Sequence, residues 1–134
     1  MIAVILFGLT GCSGNAALSD DRSSNGQNQS EEGYGNLEQE EAKKNMDADK
    51  SIILLDVRTP EEYAEVHIPG SILIPLDTIQ KEAMNKLPDK DATIYVYCRS
   101  GNRSASASKI LVDLGYKNIY NIGGIATWPY ETKK

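Results

Sequence analysis

The chain is short of what a metal centre needs. Its 134 residues include one histidine, His67, and two cysteines, Cys12 and Cys98. One imidazole and two widely separated thiols do not assemble a zinc constellation, which takes four ligands. No metal and no cofactor are therefore expected. No glycine-rich nucleotide loop is present. There is no basic stripe and no interleaving of aromatic and basic residues, which argues against a nucleic-acid surface. Long apolar runs are missing too. The run at residues 2–9 falls well short of the roughly 20 residues that span a bilayer. No Lys or Arg stands between Met1 and Cys12.

What is present divides the chain in two. Residues 13–32 carry four acids and one base, whereas from Gly33 onward 15 acids face 13 bases. The net charge of −5 is thus weighted toward the front, and the remainder is close to neutral. Residues 13–33 are rich in Ser, Asn, Gly, Gln and Asp. Such a segment buries too little apolar area to offset chain entropy, so residues 12–33 are expected to be a flexible tether. Ahead of it, Leu9-Thr10-Gly11-Cys12 closes a short apolar run and resembles a bacterial lipobox. There the leader is cut before the cysteine, and the cysteine is lipidated. The run has the length of a signal-peptide core, but the basic residues that normally precede one are absent. The expectation is a signal peptide at 1–11, lipid on Cys12 and a membrane-anchored domain facing the extracytoplasmic side. The alternative is a chance apolar N-terminus on a cytoplasmic protein. With Cys12 lipidated, Cys98 has no partner in its own chain for a structural disulfide.

From residue 34 to 134 one domain is expected, in which strands and helices alternate. Residues 37–46 read as a helix with Asn36 as N-cap. Residues 51–57 contain Ile52-Ile53-Leu54-Leu55, a continuous apolar run typical of a strand buried on both faces. Residues 60–65 form a short helix opened by Pro60. A short strand at 71–74 is followed by a helix from Asp77 to about Leu87. Residues 92–97 are a strand, residues 104–114 lie in a helix opened by Asn102 or Ser104, and Gly115 ends it. Residues 117–120 are a last strand, and Gly123-Gly124 begins a helical turn toward Trp128. This alternation argues for an α/β domain with a mainly parallel sheet, whose ligands bind beyond the strand C-termini.

Cys98 falls at such a strand end, in Cys98-Arg99-Ser100-Gly101-Asn102-Arg103-Ser104. A loop feeding a helix N-terminus turns its N–H groups inward as an anion nest, and the helix adds its positive end. Arg99 and Arg103 add formal charge. Together these lower a thiol from its free pKa of about 8.5 toward or below neutrality. Cysteine is also among the most buried residue types, but an arginine-flanked, glycine-containing loop favours a nucleophile. Gly101 supplies a backbone conformation closed to residues with a Cβ. Phosphate-cradling cysteine enzymes place five residues between cysteine and arginine. Here four stand between Cys98 and Arg103, and the tighter ring suits one appended sulfur better than a tetrahedral phosphate.

At this point the loop resembles the active-site loop of single-domain rhodaneses, a family of thiosulfate sulfurtransferase-like enzymes. Two further stretches are similar: Leu55-Asp56-Val57-Arg58-Thr59-Pro60-Glu61-Glu62-Tyr63 with His67-Ile68-Pro69-Gly70-Ser71, and Gly123-Gly124 with Trp128. The likeness runs from about residue 34 to 130. It implies a rhodanese-like single domain with helices on both faces of the sheet, and Cys98 as catalytic residue. The implied reaction moves sulfane sulfur from a donor such as thiosulfate or polysulfide, through a Cys98 persulfide, to cyanide or a thiol, with a thioredoxin-like protein as one possible partner. Arg99, Ser100, Gly101, Asn102, Arg103 and Ser104 are the implied substrate loop, and Asp56 and Arg58 lie beside it.

Individual roles stay open at this level. Arg99 either meets an anionic donor or is a solvated surface charge. Arg103 binds substrate, braces the loop, or both. Asp56 and Arg58 read as a structural ion pair more readily than as substrate contacts, because partly buried charges are normally paired. His67 reads as a hydrogen-bonded structural residue rather than a general base. Val66 stands where the family often has glycine, so the turn there is expected to differ. Trp128 packs near the sheet end or walls the pocket. The alternatives to an enzyme of sulfur transfer are a tethered sulfur carrier with little turnover of its own, and a cysteine-dependent phosphatase or arsenate reductase.

Overall fold

Alternating strand residues divide the interior into two layers, and that division decides which way Cys98 faces. The computed structural model describes Asn28–Gln29 and residues 33–134. Cys12 and the expected leader lie outside the described residues. So does the expected tether, apart from Gly33 and a two-residue strand within it.

In chain order the elements are β1 (Asn28–Gln29), β2 (Gly35–Asn36), α1 (Gln39–Ala48), β3 (Ile53–Asp56), α2 (Pro60–Glu65), β4 (Ile72–Leu73), a 3-10 turn (Leu76–Thr78), α3 (Ile79–Lys86), β5 (Thr93–Cys98), α4 (Asn102–Asp113), β6 (Asn118–Gly124) and a second 3-10 turn (Ile125–Thr127). The six strands form one sheet in the order β1-β2-β6-β5-β3-β4. Every pairing is parallel except β1 with β2. This is the expected α/β architecture.

On β5 the even-numbered Ile94, Val96 and Cys98 join Leu55, Ile119, Ala107, Leu111, Ile79 and Leu87 in one buried cluster beneath α3 and α4. The odd-numbered Tyr95 and Tyr97 join Leu54, Leu37, Ala42, Ile122 and Trp128 in the other, beneath α1. A strand sends successive side chains to opposite faces, and here both faces are covered, hence the unbroken apolar runs. Cys98 therefore points to the α4 side.

Helix α4 is closed as expected. Gly115 has φ 106°, its N–H donates to Val112 O at 3.0 Å, and Tyr116 N–H donates to Leu111 O at 3.0 Å. That pair of bonds is a Schellman closure, which satisfies carbonyls left open at the helix end. Helix α2 begins and ends at the expected residues. Thr59 caps it, and Glu62 returns a bond to the Thr59 N–H in a full capping box.

Three expectations are corrected. Helix α1 starts at Gln39, not Leu37, and its N-cap is Glu38 rather than Asn36. Asn36 lies in β2, and Leu37 N–H donates to Asn121 O, so this stretch extends the sheet first. Asp77 lies inside a 3-10 turn, and α3 begins at Ile79 with Thr78 as N-cap. Strand β6 runs on to Gly124 instead of ending at Tyr120. Val66 sits at φ −164°, extended backbone open to any residue.

Candidate active site

Strand β5 ends at the sulfur, α4 begins four residues later, and the turn between them closes around it. Gly101 is the residue before α4 and has φ 112°, the left-handed region that glycine enters without a steric penalty. This turn aims the Gly101 N–H at Cys98 Sγ, at 2.9 Å. The Ser104 hydroxyl stands 3.5 Å from the same sulfur. Cys98 is a free cysteine, 1% exposed. Burial pushes its thiol up. Bonds from the Ser104 hydroxyl and from the backbone N–H groups of Ser104, Gly101 and Ser100 outweigh burial and hold it below its ordinary value. A thiol lowered while it is almost wholly buried marks a site built to carry charge on sulfur.

The loop is held from below by β6. The β5–β6 register slips between Val96 and Cys98, so that Cys98 pairs with Gly124. Ala126 N–H donates to Arg99 O at 3.1 Å. Gly124 lies against the peptide joining Arg99 and Ser100 so closely that any Cβ there would fall on the Arg99 carbonyl. Gln39, at the start of α1, donates to Ile122 O and Gly124 O at 3.0 and 2.9 Å, which pins the same strand end from the other layer.

The two loop arginines differ. Arg103 makes a forked pair with Glu62, at 2.9 and 3.0 Å. The Arg103 bond is the chief reason that the Glu62 carboxyl drops from its ordinary 4.5 to about 2, and the same pairing raises Arg103. Glu62 is also the capping-box residue of α2, so one carboxylate ties α2 to the first turn of α4. Arg103 is thus engaged as a brace. Arg99 is exposed and makes no ion pair among the described residues. Ser100 and Asn102 are exposed as well, while Ser104 is fully buried.

Asp56 and Arg58 lie one strand away and are spent on each other. Arg58 reaches Asp56 through its backbone N–H, Nε and Nη2, the last at 2.7 Å, and Nη2 also donates to Val66 O at 2.7 Å. Both are buried. Burial works against the Arg58 charge, but the bonds to Asp56 prevail and raise it. The Arg58 guanidinium lies over the Tyr97 ring, next in sequence to Cys98, at 5.7 Å. His67 stacks on Tyr63 with ring centroids 3.8 Å apart, and its Nδ1 bonds to Tyr63 O. Trp128 is buried in the α1-side cluster.

Three contributors had escaped the sequence reading. Glu62 was legible as half of a capping box, but its bond to Arg103 spans 41 positions. From the sequence Gly124 reads as part of a turn, whereas it ends β6 as the floor of the loop. Asn121 lies within β6, where asparagine is disfavoured, and that misfit was the available signal. Its Oδ1 accepts from Ser104 Oγ at 2.7 Å and from Gly123 N–H at 3.0 Å.

Comparison with known proteins agrees with this geometry. The rhodanese-like domain family matches residues 38–130. The thiosulfate sulfurtransferase PspE of Escherichia coli is 41% identical over 71 residues, covering 53% of this chain and 68% of that one. The putative sulfur carrier protein YrkF of Bacillus subtilis is 40% identical over 92 residues, covering 68% of this chain, which spans only 49% of YrkF. Among solved structures, a rhodanese with anions from E. coli superposes with TM-score 0.59 at 36% identity over 62% of this chain and 98% of that one. A rhodanese-related protein from Thermoplasma volcanium gives TM-score 0.63 at 31% identity over 73% and 96%. The chain belongs to the rhodanese-like domain family.

Two outcomes test the construction of the site. Gly124→Ala should cost about 3 kcal/mol, in the upper range for overpacking, read as a lowered urea midpoint. A change under about 0.5 kcal/mol, the scale of an ordinary surface substitution, would contradict the close approach. Glu62 has a depressed folded-state pKa, so its stabilising contribution is complete above 4.5 and disappears as pH falls toward about 2. Glu62→Gln should therefore flatten the loss of stability between those pH values, measured by thermal midpoints across that range.

Proposed function

We propose that the chain is a sulfurtransferase working through a Cys98 persulfide. The Cys98 thiolate attacks the outer sulfur of thiosulfate. The S–S bond of thiosulfate breaks, and sulfite leaves with its electron pair. A nucleophile, either a thiol or cyanide, then attacks the outer sulfur of the persulfide, and Cys98 departs as thiolate. This is covalent catalysis in two half-reactions. The observation that carries it is the free Cys98 with the Gly101 N–H at 2.9 Å from its sulfur, in a loop of backbone donors. Such donors are fixed before the reaction and favour negative charge at sulfur in both half-reactions. Arg99 is the loop cation left to meet an anionic donor, and its planar fork suits a sulfonate. Four residues between Cys98 and Arg103 leave little room for a phosphoryl group, which ranks phosphatase or arsenate-reductase chemistry lower.

A second reading is a sulfur carrier that receives persulfide from one protein, passes it to another such as a thioredoxin-like protein, and turns over small molecules slowly. The 1% exposure of Cys98 favours it, because a shielded sulfur survives between partners. The relative YrkF, called a putative sulfur carrier protein, points the same way. For the N-terminus we propose cleavage before Cys12, lipid on Cys12, and a place on the extracytoplasmic face of the cell membrane. Its support is the Leu9-Thr10-Gly11-Cys12 motif after a short apolar run.

Intact mass after incubation with thiosulfate should show one added sulfur, absent from Cys98→Ser. No gain in the folded wild type would reject enzyme and carrier alike. Thiocyanate formation from thiosulfate and cyanide separates the two. The enzyme reading expects turnover that falls on the order of a thousandfold or more in Cys98→Ser, whereas the carrier reading expects persulfide with little turnover. For the anchor, radioactive fatty acid should label the chain in bacterial cells, and Cys12→Ala should abolish the label. Equal labelling of the variant would end that proposal.

A further inference from the structure

The Ser104 hydroxyl has one hydrogen and too many places to put it. Cys98 Sγ lies at 3.5 Å, Asn121 Oδ1 at 2.7 Å, Gly101 O at 3.0 Å and Gly123 O at 3.3 Å. All four can accept, and a hydroxyl donates once. The Asn121 amide cannot turn round to relieve the competition. Gly123 N–H donates to its Oδ1 at 3.0 Å, which requires an oxygen there, and its Nδ2 faces Gly101 O. The shortest of the four contacts is the one to Asn121.

We propose that Asn121 is a positioning residue for Cys98: its Oδ1 competes with the sulfur for the single hydroxyl hydrogen of Ser104 and so limits how firmly the ionised sulfur is held. With Cys98 as a thiol, the chain of bonds runs one way. The S–H donates to Ser104 Oγ, and the Ser104 O–H donates to Asn121 Oδ1. Every hydrogen then has a partner. With Cys98 as a thiolate, Ser104 must choose. Turning its hydrogen to sulfur gives up the Asn121 bond, although Asn121 Oδ1 keeps the Gly123 N–H. Holding the hydrogen on Asn121 leaves the sulfur to the backbone donors alone. Either way the thiolate gains less from Ser104 than it would with Asn121 removed.

The chemical consequence runs in opposite directions in the two half-reactions. A thiolate held by fewer donors is the better nucleophile toward a sulfur donor. A sulfur held by more donors is the better leaving group when the persulfide is attacked. Asn121 thereby sets a compromise between loading and unloading. The proposal rests on the reading of Cys98 as the reacting sulfur, but its test needs no sulfur donor.

The experiment is iodoacetamide alkylation of the full chain as a function of pH, with Cys98 read as its own peptide by mass spectrometry. Asn121→Leu removes the acceptor at similar volume. Its midpoint should fall by about half a pKa unit, which is a threefold gain in thiolate at pH values below the midpoint. Ser104→Ala should raise the midpoint, and the double variant should match Ser104→Ala. A midpoint that rises in Asn121→Leu, or a fall that persists in the Ser104→Ala background, overturns the proposal. Asn121→Asp keeps the oxygen that receives Gly123 N–H and serves if the leucine variant does not fold. Its midpoint should rise, and at least half of the rise should vanish with Ser104→Ala. An undiminished rise is a through-space charge effect and also overturns the proposal. A chain that titrates as expected here yet forms no persulfide fails as a sulfurtransferase and leaves the role of Asn121 intact.

Discussion

The close approach of Gly124 to the peptide after Arg99 is the constraint on which the site depends. It lets the end of β6 serve as a floor for the loop that leaves β5, and the loop then has no freedom to open downward. With that floor in place, Gly101 takes its left-handed conformation, and its N–H meets the sulfur. Everything above follows from ordinary helix geometry. The first turn of α4 has unpaired N–H groups and a positive end, and the register of β5 sets Cys98 beneath them.

Charge is distributed around this cup with some economy. Four formal charges stand in or near the loop besides Arg99, and the structure cancels them in pairs: Asp56 with Arg58, and Glu62 with Arg103. The sulfur is therefore favoured as an anion chiefly by fixed dipoles, not by a bare cation at its side. Dipoles of the backbone need no reorganisation as charge moves on and off sulfur. Arg99, on the rim and exposed, is the exception: it makes no ion pair among the described residues.

The parts of this architecture legible in the sequence are the local ones. Helix α2 was readable to the residue from Pro60 at its first turn, and the structure adds the Thr59–Glu62 capping box that the sequence reading had not used. The end of α4 was readable from Gly115. The loop from Cys98 to Ser104 was readable because its donors are contiguous in the chain. What escaped was whatever depends on partners far along the chain. Helix α1 began late because Leu37 was claimed by Asn121, and β6 ran on through two glycines because the loop above needed a floor there. Asn121 itself contradicts strand propensity, and it does so at the point where a polar side chain is required beneath Ser104. Strand β1, Asn28–Gln29, has no apolar residue to announce it.

That small strand nevertheless sets the direction of entry. Asn28 pairs with Asn36, which in turn pairs with Asn121 in the middle of β6, and β1 runs antiparallel to β2 while β2 runs parallel to β6. The start of β1 thus faces the same end of the sheet at which β5 delivers its cysteine. Strand polarity, rather than side-chain chemistry, turns the first described residues toward the side of the domain that holds the sulfur.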